Sequence, residues 1–135
     1  MKKRGFGAGK WNGFGGKVAQ GEFVNEAAER ELKEESGITA KELELMGNLI
    51  FEYPASGEEE IEVAVYRVNR FAGEPKESEE MKPQWFSEDA IPYGDMWPDD
   101  KEWLPLFLQG HKFFGKFTFD KEGNVVKHDL RPSMY

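Results

Sequence analysis

The sequence predicts an α+β fold in which a mixed β-sheet is packed between α-helices. Helical and strand-like segments follow one another in the order loop, helix, strands, helix, strands, which favours helices packed on a sheet. A chain of 135 residues is long enough to bury one hydrophobic core and short for two. We therefore predict a single domain that spans residues 1–135.

The first helix is predicted from Val24 to Ser36, after a loop rich in glycine at residues 5–16. Asn25 is the expected N-cap, because its short polar side chain can accept a hydrogen bond from the first turn. Gly37 lies where a left-handed residue commonly ends a helix.

Apolar segments with a period of two predict the first strands. Residues 49–53 and 61–71 are joined by a turn-rich segment. Both faces of residues 61–71 are largely apolar, which predicts a central strand. Residues 81–87 are predicted to form another strand, interrupted by Pro83.

The rest of the chain predicts a second helix and a hairpin. Residues 98–110 begin with a proline and two acids, which suit a helix start, and end with Gly110. Pro105 should kink or shorten this helix. Residues 112–120 and 125–130 are then expected to pair as a hairpin.

Composition excludes several classes of protein. The net charge of −8 argues against binding to a nucleic acid polymer, and no apolar run is long enough to span a membrane. The absence of cysteine rules out disulfides, thiol nucleophiles and thiolate metal sites. The basic N-terminus lacks the apolar segment of a signal peptide, so we expect a cytoplasmic protein.

Three glutamates are crowded at the end of the first helix. On a helical wheel Glu31 and Glu35 fall inside the apolar stripe and Glu34 lies at its border. A generic run of charges is usually a solvated face, but inward acids must be protonated, paired or bound to a cation. Since Arg30 and Lys33 are not expected to point inward, Mg²⁺ would satisfy these carboxylates.

The segment "GKVAQGEFVNEAAERELKEESGI" resembles the Nudix box, G-x5-E-x7-R-E-U-x-E-E-x-G-U, where U is aliphatic. Every defined position is filled, by Gly16, Glu22, Arg30, Glu31, Leu32, Glu34, Glu35, Gly37 and Ile38. The resemblance implies a Nudix fold and the hydrolysis of a nucleoside diphosphate linked to another group.

The resemblance also implies the roles of the box residues. Glu31, Glu34 and Glu35 would be catalytic ligands of Mg²⁺, or of Mn²⁺ as a substitute, with the Gly16 carbonyl as a further ligand. Arg30, counted with the catalytic residues, would hold the loop and helix in register together with Glu22. Glu80 is a candidate for one more carboxylate at the metal.

Other segments indicate the substrate. "MKKRGFGAGKWNGFGGKV", "ESEEMKPQWF", "DMWPDD" and "FFGKFTF" resemble the vertebrate MutT-like Nudix hydrolases that remove oxidised purine nucleoside triphosphates from the nucleotide pool. The substrates implied are 8-oxo-dGTP and 2-hydroxy-dATP, cleaved to the monophosphate and pyrophosphate. By the same resemblance, the base would be contacted by Asn12, Trp97, Asp99 and Asp100, the pocket lined by Phe51, Met81, Trp103 and Phe119, and the substrate reached by Lys2.

Adjacent acids suit a site that reads purine edges. Burial drives the pKa values of neighbouring carboxyls apart, so Asp99 and Asp100 can donate and accept hydrogen bonds in different combinations. The alternative is that they are ordinary helix N-terminal acids. Core packing is the alternative for the four apolar residues, and simple solvation for Lys2.

Two other functions stay open. The chain is either a Nudix hydrolase of another substrate, such as a dinucleoside polyphosphate, an RNA cap or a nucleotide sugar, or a Nudix-fold module that binds without catalysis. The expected partner is a small nucleotide substrate, and the chain is expected to be a monomer. It would act on the cytoplasmic nucleotide pool, or on the nuclear or mitochondrial pool. The N-terminal strand of the family is expected to be absent from this chain.

Overall fold

The computed structural model describes residues 1–57 and 60–133. Within these residues the chain forms two α-helices and four β-strands. In chain order they are α1 (Val24–Ser36), β1 (Thr39–Glu52), β2 (Ile61–Ala72), α2 (Asp100–Leu108), β3 (Phe113–Phe119) and β4 (Val125–Pro132). Short 3₁₀ turns lie at Pro54–Ser56, Glu88–Ala90 and Tyr93–Asp95.

The strands of the described residues form one mixed sheet in the order β2-β1-β3-β4. β1 runs parallel to β3, from Gly47 opposite Phe113 to Glu52 opposite Thr118. β3 and β4 pair antiparallel, as the predicted hairpin requires. The mixed sheet and the helices confirm the predicted α+β class.

β2 lies at the edge of the sheet that residues 1–57 and 60–133 form, so the prediction of a central strand is wrong. Its first residue, Ile61, is 49% exposed. Apolar residues on both faces of a strand report what covers those faces, and they carry no information about neighbours along its edges.

One further expectation is corrected, and one concerns Pro105. The predicted strand at residues 81–87 does not form; among the described residues there, only Met81 makes an isolated antiparallel bridge, to Lys2. Pro105 lies inside α2, which spans Asp100–Leu108 and is therefore shorter than the predicted residues 98–110.

The chain divides into two compact units, with one boundary inside β1, one inside β2 and one between Trp97 and Pro98. The first unit comprises Met1–Glu44 and Val68–Trp97, and the second comprises Leu45–Arg67 and Pro98–Tyr135. The glycine-rich loop and α1 belong to the first unit, and α2, β3 and β4 to the second. That residues 1–135 form a single domain stays a prediction.

The second unit holds a cluster of buried apolar residues, Met46, Leu49, Phe113, Phe117 and Phe119. Phe117 is fully buried, and its ring stacks on that of His128 with 5.8 Å between centroids. A side chain at Gly47 would overlap the ring of Phe113, so glycine is needed there for β1 to approach β3. α2 packs on β3 and β4.

No helix in the described part of the chain has the length and apolar character needed to cross a membrane.

Candidate functional site

α1 carries the acidic residues of the box and has a defined start and end. The backbone N–H of Phe23 donates to Glu26 Oε1 over 2.8 Å, so Phe23 and not Asn25 occupies the N-cap position. The helix ends at Gly37, which has a φ of 79° and donates its N–H to the Lys33 carbonyl. These two ends place Glu31, Glu34 and Glu35 in the last two turns.

Arg30 joins the loop before α1 to the acids of α1. Its Nε donates to Glu22 Oε2 at 2.8 Å, and its Nη2 donates to the Lys17 carbonyl at 3.1 Å. Its Nη1 donates to Glu31 Oε1 at 2.8 Å and to Glu34 Oε2 at 3.2 Å. The hydrogen bonds to Glu22 and Glu31 raise the pKa of Arg30, which stays charged.

This network corrects one step of the sequence argument. Arg30 was not expected to point toward the inward acids, but its long side chain reaches the carboxylate of the next residue, Glu31. A helical wheel gives the direction of the Cβ, whereas a guanidinium can fold back along the helix surface. Part of the charge on the acidic group is therefore neutralised by the protein itself.

Glu31 lies directly against the backbone of Gly16. A Cβ placed on Gly16 would be 2.5 Å from Glu31 Cδ and 2.6 Å from Oε1. The Glu31 side chain is 17% exposed. Glycine is therefore required at position 16 for the carboxylate to sit where it does, and the loop and α1 meet at this point.

Glu35 contacts the same loop one residue earlier. Its Oε1 accepts the backbone N–H of Gly15 over 2.8 Å. Burial raises the pKa of Glu35, the negative charges of Glu31 and Glu80 raise it further, and the Gly15 bond and the charge of Lys2 oppose the rise. Burial is thus the main reason that the pKa of Glu35 is raised, and the negative charges of Glu31 and Glu80 add to it.

Glu80 lies in the segment that follows β2 and is held there by the N-terminal residues. Arg4 donates from Nε to Glu80 Oε1 over 2.8 Å, and Lys3 N–H donates to the Glu80 carbonyl. The adjacent bridge between Lys2 and Met81 fixes the N-terminal segment at this place. Met81 is 2% exposed, which agrees with a packing role.

The donor set of the first unit fits a hard divalent cation. Carboxylates and a backbone carbonyl are the ligands that Mg²⁺ and Mn²⁺ prefer, and the Gly16 cradle brings one carboxylate onto the loop. In the described residues, no three acidic or imidazole side chains are already gathered as a metal cluster. Arg30, the Gly15 amide and Arg4 hold the four candidate carboxylates as individual hydrogen-bond acceptors.

An aromatic surface lies beside the loop in the first unit. Trp97 stacks on Phe6 with 5.1 Å between ring centroids, and Lys10 Nζ lies 5.2 Å from the centre of the Trp97 ring. Asn12 is exposed and accepts the N–H of Gly13 at its own Oδ1. A flat base can stack on such a surface, while the hydrogen bond to Gly13 orients the Asn12 amide.

The second unit contains the two neighbouring acids. Asp99 is 3% and Asp100 is 6% exposed. Burial raises the pKa of Asp99, although Trp103 Nε1–H donates to its Oδ2 over 2.8 Å and thereby lowers it. Asp99 occupies the N-cap position of α2 without making a side-chain capping bond. Asp99 and Asp100 thus both lie at the N-terminus of α2, where negative charge is favourable, and their role in reading the base stays a prediction.

Aromatic rings of the second unit surround Phe119, which is buried in the core cluster. Phe51 meets Phe119 edge-on at 5.7 Å, and Tyr53 stacks on it at 5.1 Å. Trp103 stacks on Phe113 at 5.5 Å. Phe119 is thus packed in the core, and the contribution of Phe51, Trp103 and Phe119 to a pocket stays a prediction.

Sequence reasoning missed four residues at these places: Arg4, Phe6, Lys10 and Tyr53. Arg4 binds Glu79, which lies 75 residues further along the chain, and the sequence alone does not show that these two charged segments meet. Phe6 and Lys10 belong to the glycine-rich loop, where no periodicity predicts which side chains meet. Tyr53 was predicted only as the end of a strand, whereas burial, and after it the charge of Asp99, raises the pKa of its hydroxyl.

The NUDIX domain family matches residues 1–107. The match covers most of the chain and includes the complete box, whose loop and helix have just been described. The chain therefore belongs to the Nudix family.

Individual relatives are similar over almost all of the chain. The oxidized purine nucleoside triphosphate hydrolase of Danio rerio is 53% identical over 96% of this chain and 83% of its own. The protein of the same name from Mus musculus is 50% identical over 97% of this chain and 83% of its own. The crystal structure of a MutT protein from Bacillus halodurans superposes with a TM-score of 0.83 at 28% identity, covering 90% and 82% of the two chains.

Proposed function

We propose that this chain hydrolyses oxidised purine nucleoside triphosphates, such as 8-oxo-dGTP and 2-hydroxy-dATP, to the monophosphate and pyrophosphate. The observation that carries the proposal is the complete box, in which Glu31 packs on Gly16 and Glu35 accepts the Gly15 amide. The names of the zebrafish and mouse relatives support the substrate class.

Nudix hydrolases generally need a divalent metal, and we propose Mg²⁺ here, with Mn²⁺ as a substitute. The proposed ligands are the Gly16 carbonyl, Glu31, Glu34, Glu35 and Glu80. Bound there, the ion supplies charge neutralisation at the phosphates and lowers the pKa of the attacking water.

The chain's own residues supply the positioning. Arg30 holds Glu31 through a charged hydrogen bond and ties Glu22 to the same guanidinium, which keeps the loop and the helix in register. One of the box glutamates takes the proton of the attacking water, and Glu35, whose pKa is raised by burial, is a candidate for that task.

Recognition of the base is proposed for residues of both units. In the first unit Trp97 offers a stacking face, Asn12 an amide and Lys2 a charge for the substrate. In the second unit Asp99 and Asp100 are buried acids that donate or accept according to their protonation. Apolar contact is assigned to Phe51, Met81, Trp103 and Phe119.

Pyrophosphate release from a panel of nucleotides, with and without a chelator, tests the reaction. The panel contains 8-oxo-dGTP, 2-hydroxy-dATP, dGTP, a dinucleoside polyphosphate and a nucleotide sugar. Glu35→Gln should abolish turnover while the circular dichroism spectrum is preserved, whereas Glu29→Gln, at an exposed position of the same helix, should not. A near-normal rate in Glu35→Gln would refute the assignment of the metal site.

The same panel separates the other candidate functions. Cleavage of the dinucleoside polyphosphate in preference to the oxidised triphosphates would identify a different Nudix hydrolase. Tight nucleotide binding without turnover at any metal concentration would identify a binding module. We further propose that the chain acts as a monomer on the cytoplasmic nucleotide pool.

Base recognition has its own test. Asp100→Asn should reduce the ratio of kcat/KM for oxidised over unmodified purines, because the amide can no longer exchange a proton with its surroundings. Asp89→Asn, at an exposed acid, is the matched control. An unchanged ratio in Asp100→Asn would return this acid to a structural role at the start of α2.

A further inference from the structure

An exposed groove lies in the first unit, between the segment that ends β2 and the segment that follows Met81. Its walls include Phe71, Glu74, Pro83 and Trp85. The groove has a volume of about 490 Å³, which is within the range of small binding sites. None of its residues has a part in the proposed hydrolysis.

Phe71 and Trp85 form an aromatic surface in this groove. Their ring centroids are 6.0 Å apart, with 31° between the ring planes. Trp85 is 71% and Phe71 is 42% exposed, so the pair is not part of the core. Within the described residues, the Nε1–H of Trp85 donates to no protein acceptor. The pair therefore offers a partner apolar ring area and one hydrogen-bond donor.

Backbone hydrogen bonds hold the two walls of the groove in place. Beyond Glu74, the Lys76 N–H donates to the Ser36 carbonyl over 2.7 Å, which ties this wall to the end of α1. Before Pro83, the Lys82 N–H donates to the Met1 carbonyl over 2.8 Å. Because the walls are fixed before binding, a ligand does not have to order them, and this lowers the cost of association.

The charge of the groove selects between acidic and basic partners. Glu74 is the one charged side chain among the described residues that line it. The chain as a whole carries a net charge of −8. An acidic or phosphorylated segment would be repelled by these charges, whereas a basic side chain would be attracted.

The backbone of the walls distinguishes between modes of peptide recognition. Strand addition needs a row of free N–H and C=O groups, but Pro75 and Pro83 line the groove and have no N–H to donate. A helix is held by anchors spread over two turns, whereas the groove offers a single aromatic pair. A polyproline II segment packs on aromatic surfaces and keeps its carbonyls free to accept a hydrogen bond. This mode matches an indole N–H beside stacked rings.

We propose that the groove binds a proline-rich segment of another protein, in the polyproline II conformation, that carries a basic residue. The prolines pack on Phe71 and Trp85, and the Trp85 Nε1–H donates to a carbonyl of the segment. The basic side chain pairs with Glu74. Since these residues are not used in the proposed hydrolysis, the inference does not depend on that function.

Nuclear magnetic resonance of the full chain labelled with ¹⁵N tests this with synthetic peptides. The chain has four tryptophans, whose indole N–H signals are separate probes, and Trp85→Phe identifies the signal of Trp85. A capped oligoproline peptide with one arginine should shift the Trp85 signal until it saturates. The signals of Trp97 and Trp103 should stay in place.

Fluorescence anisotropy of the labelled peptide measures the affinity of variants. Trp85→Ala should weaken binding at least about tenfold, as expected for truncating a central aromatic anchor. Trp85→Phe keeps a ring but loses the donor, and should weaken binding about two- to tenfold. Phe114→Ala removes an exposed aromatic ring of the second unit and should bind as the unsubstituted chain does. Circular dichroism and pyrophosphate release should be unchanged in Trp85→Ala.

A charge exchange tests the pairing with Glu74. Glu74→Gln should weaken binding of the arginine peptide about two- to fivefold, the range of an exposed ion pair. The same oligoproline with glutamine in place of arginine should bind the two chains equally. Glu74→Lys should reverse the preference, so that an oligoproline with glutamate binds more tightly than the one with arginine.

Several outcomes would overturn the inference. One is a Trp85 signal that does not respond to the arginine peptide. Another is equal binding of a helical, alanine-based peptide with the same arginine, or binding that survives Trp85→Ala. A Trp85 signal that moves with protein concentration in the absence of peptide would identify a second copy of this chain as the occupant. Loss of hydrolysis with intact peptide binding would count only against the proposed function.

Discussion

Gly16→Ala should separate the stability of this protein from its activity. The added Cβ would lie 2.5 Å from Glu31 Cδ, and an ordinary contact begins at 3.4 Å, so the Glu31 carboxylate must retreat by about 0.9 Å. The backbone at Gly16 does not have a positive φ and accepts alanine. Because the obstructing atoms are the end of a flexible side chain, the fold should adapt at little cost.

The expected magnitudes follow from these distances. A displacement of about 1 Å in a reacting group can cost about 100-fold in rate, so kcat/KM should fall by about 10- to 100-fold. The free energy of unfolding should change by less than about 1 kcal/mol, since alanine also restricts the unfolded chain. Pyrophosphate release and urea denaturation measure the two quantities.

Gly15→Ala provides the matched control for this experiment. A Cβ on Gly15 meets no atom within 4 Å, and alanine keeps the N–H that Glu35 accepts. If Gly15→Ala lost as much activity as Gly16→Ala, the loop would be intolerant of any side chain. The argument from the Glu31 contact would then be refuted, as it would by full activity of Gly16→Ala.

Three other substitutions address the core, the box and the buried acid. Phe117→Ala should lower the free energy of unfolding in urea by about 3–5 kcal/mol, whereas Phe114→Ala on the same strand, 45% exposed, should cost far less; similar losses would contradict the assigned core. Arg30→Lys should lower kcat/KM about 10- to 100-fold with the fold retained, because lysine cannot bind Glu22 and Glu31 at the same time. An unchanged rate would show that activity does not depend on the guanidinium joining the loop to α1. Trp103→Phe removes the hydrogen bond that lowers the pKa of Asp99, so a carboxyl NMR titration of Asp99 should shift to higher pH, and an unchanged midpoint would contradict this.

The raised pKa of Asp99 also has a definite sign in stability. Because the folded protein holds the proton more tightly than the unfolded chain, the contribution of Asp99 to stability is present at low pH. It declines as pH rises from the ordinary aspartate value through the raised one. Trp103→Phe should extend this decline to higher pH, which urea denaturation at several pH values would detect.

Local patterns predicted this protein well wherever the contacts are local. α1 begins and ends where its spacing predicts, and the hairpin of β3 and β4 forms as expected. The prediction of Asn25 as the N-cap was wrong. Phe23 is the N-cap residue, and its backbone N–H is satisfied by the side chain of Glu26 in the first turn. From the sequence alone, the side chains of Asn25 and Glu26 are both plausible hydrogen-bond acceptors at this helix start.

Contacts between distant segments escaped the sequence for a different reason. A strand was predicted at residues 81–87 because the composition suits one, but a ladder needs a partner of equal length, and Lys2 supplies a single bridge. Likewise, the wheel placed the Glu31 side chain correctly and misjudged Arg30, since flexible side chains are not confined to the face of their Cβ. Backbone direction is encoded locally, whereas the partner of a long charged side chain is decided by packing.

The guanidinium of Arg30 couples the order of the loop before α1 to the position of the Glu31 carboxylate. A local opening of residues 17–22 must break the bonds from Arg30 to the Lys17 carbonyl and to Glu22, and the same side chain then loses its fixed hold on Glu31. Such openings cost less than global unfolding and are measured by amide hydrogen exchange. On heating, the enzyme should therefore lose turnover together with exchange protection in this loop, at a temperature below the one at which the core around Phe117 melts.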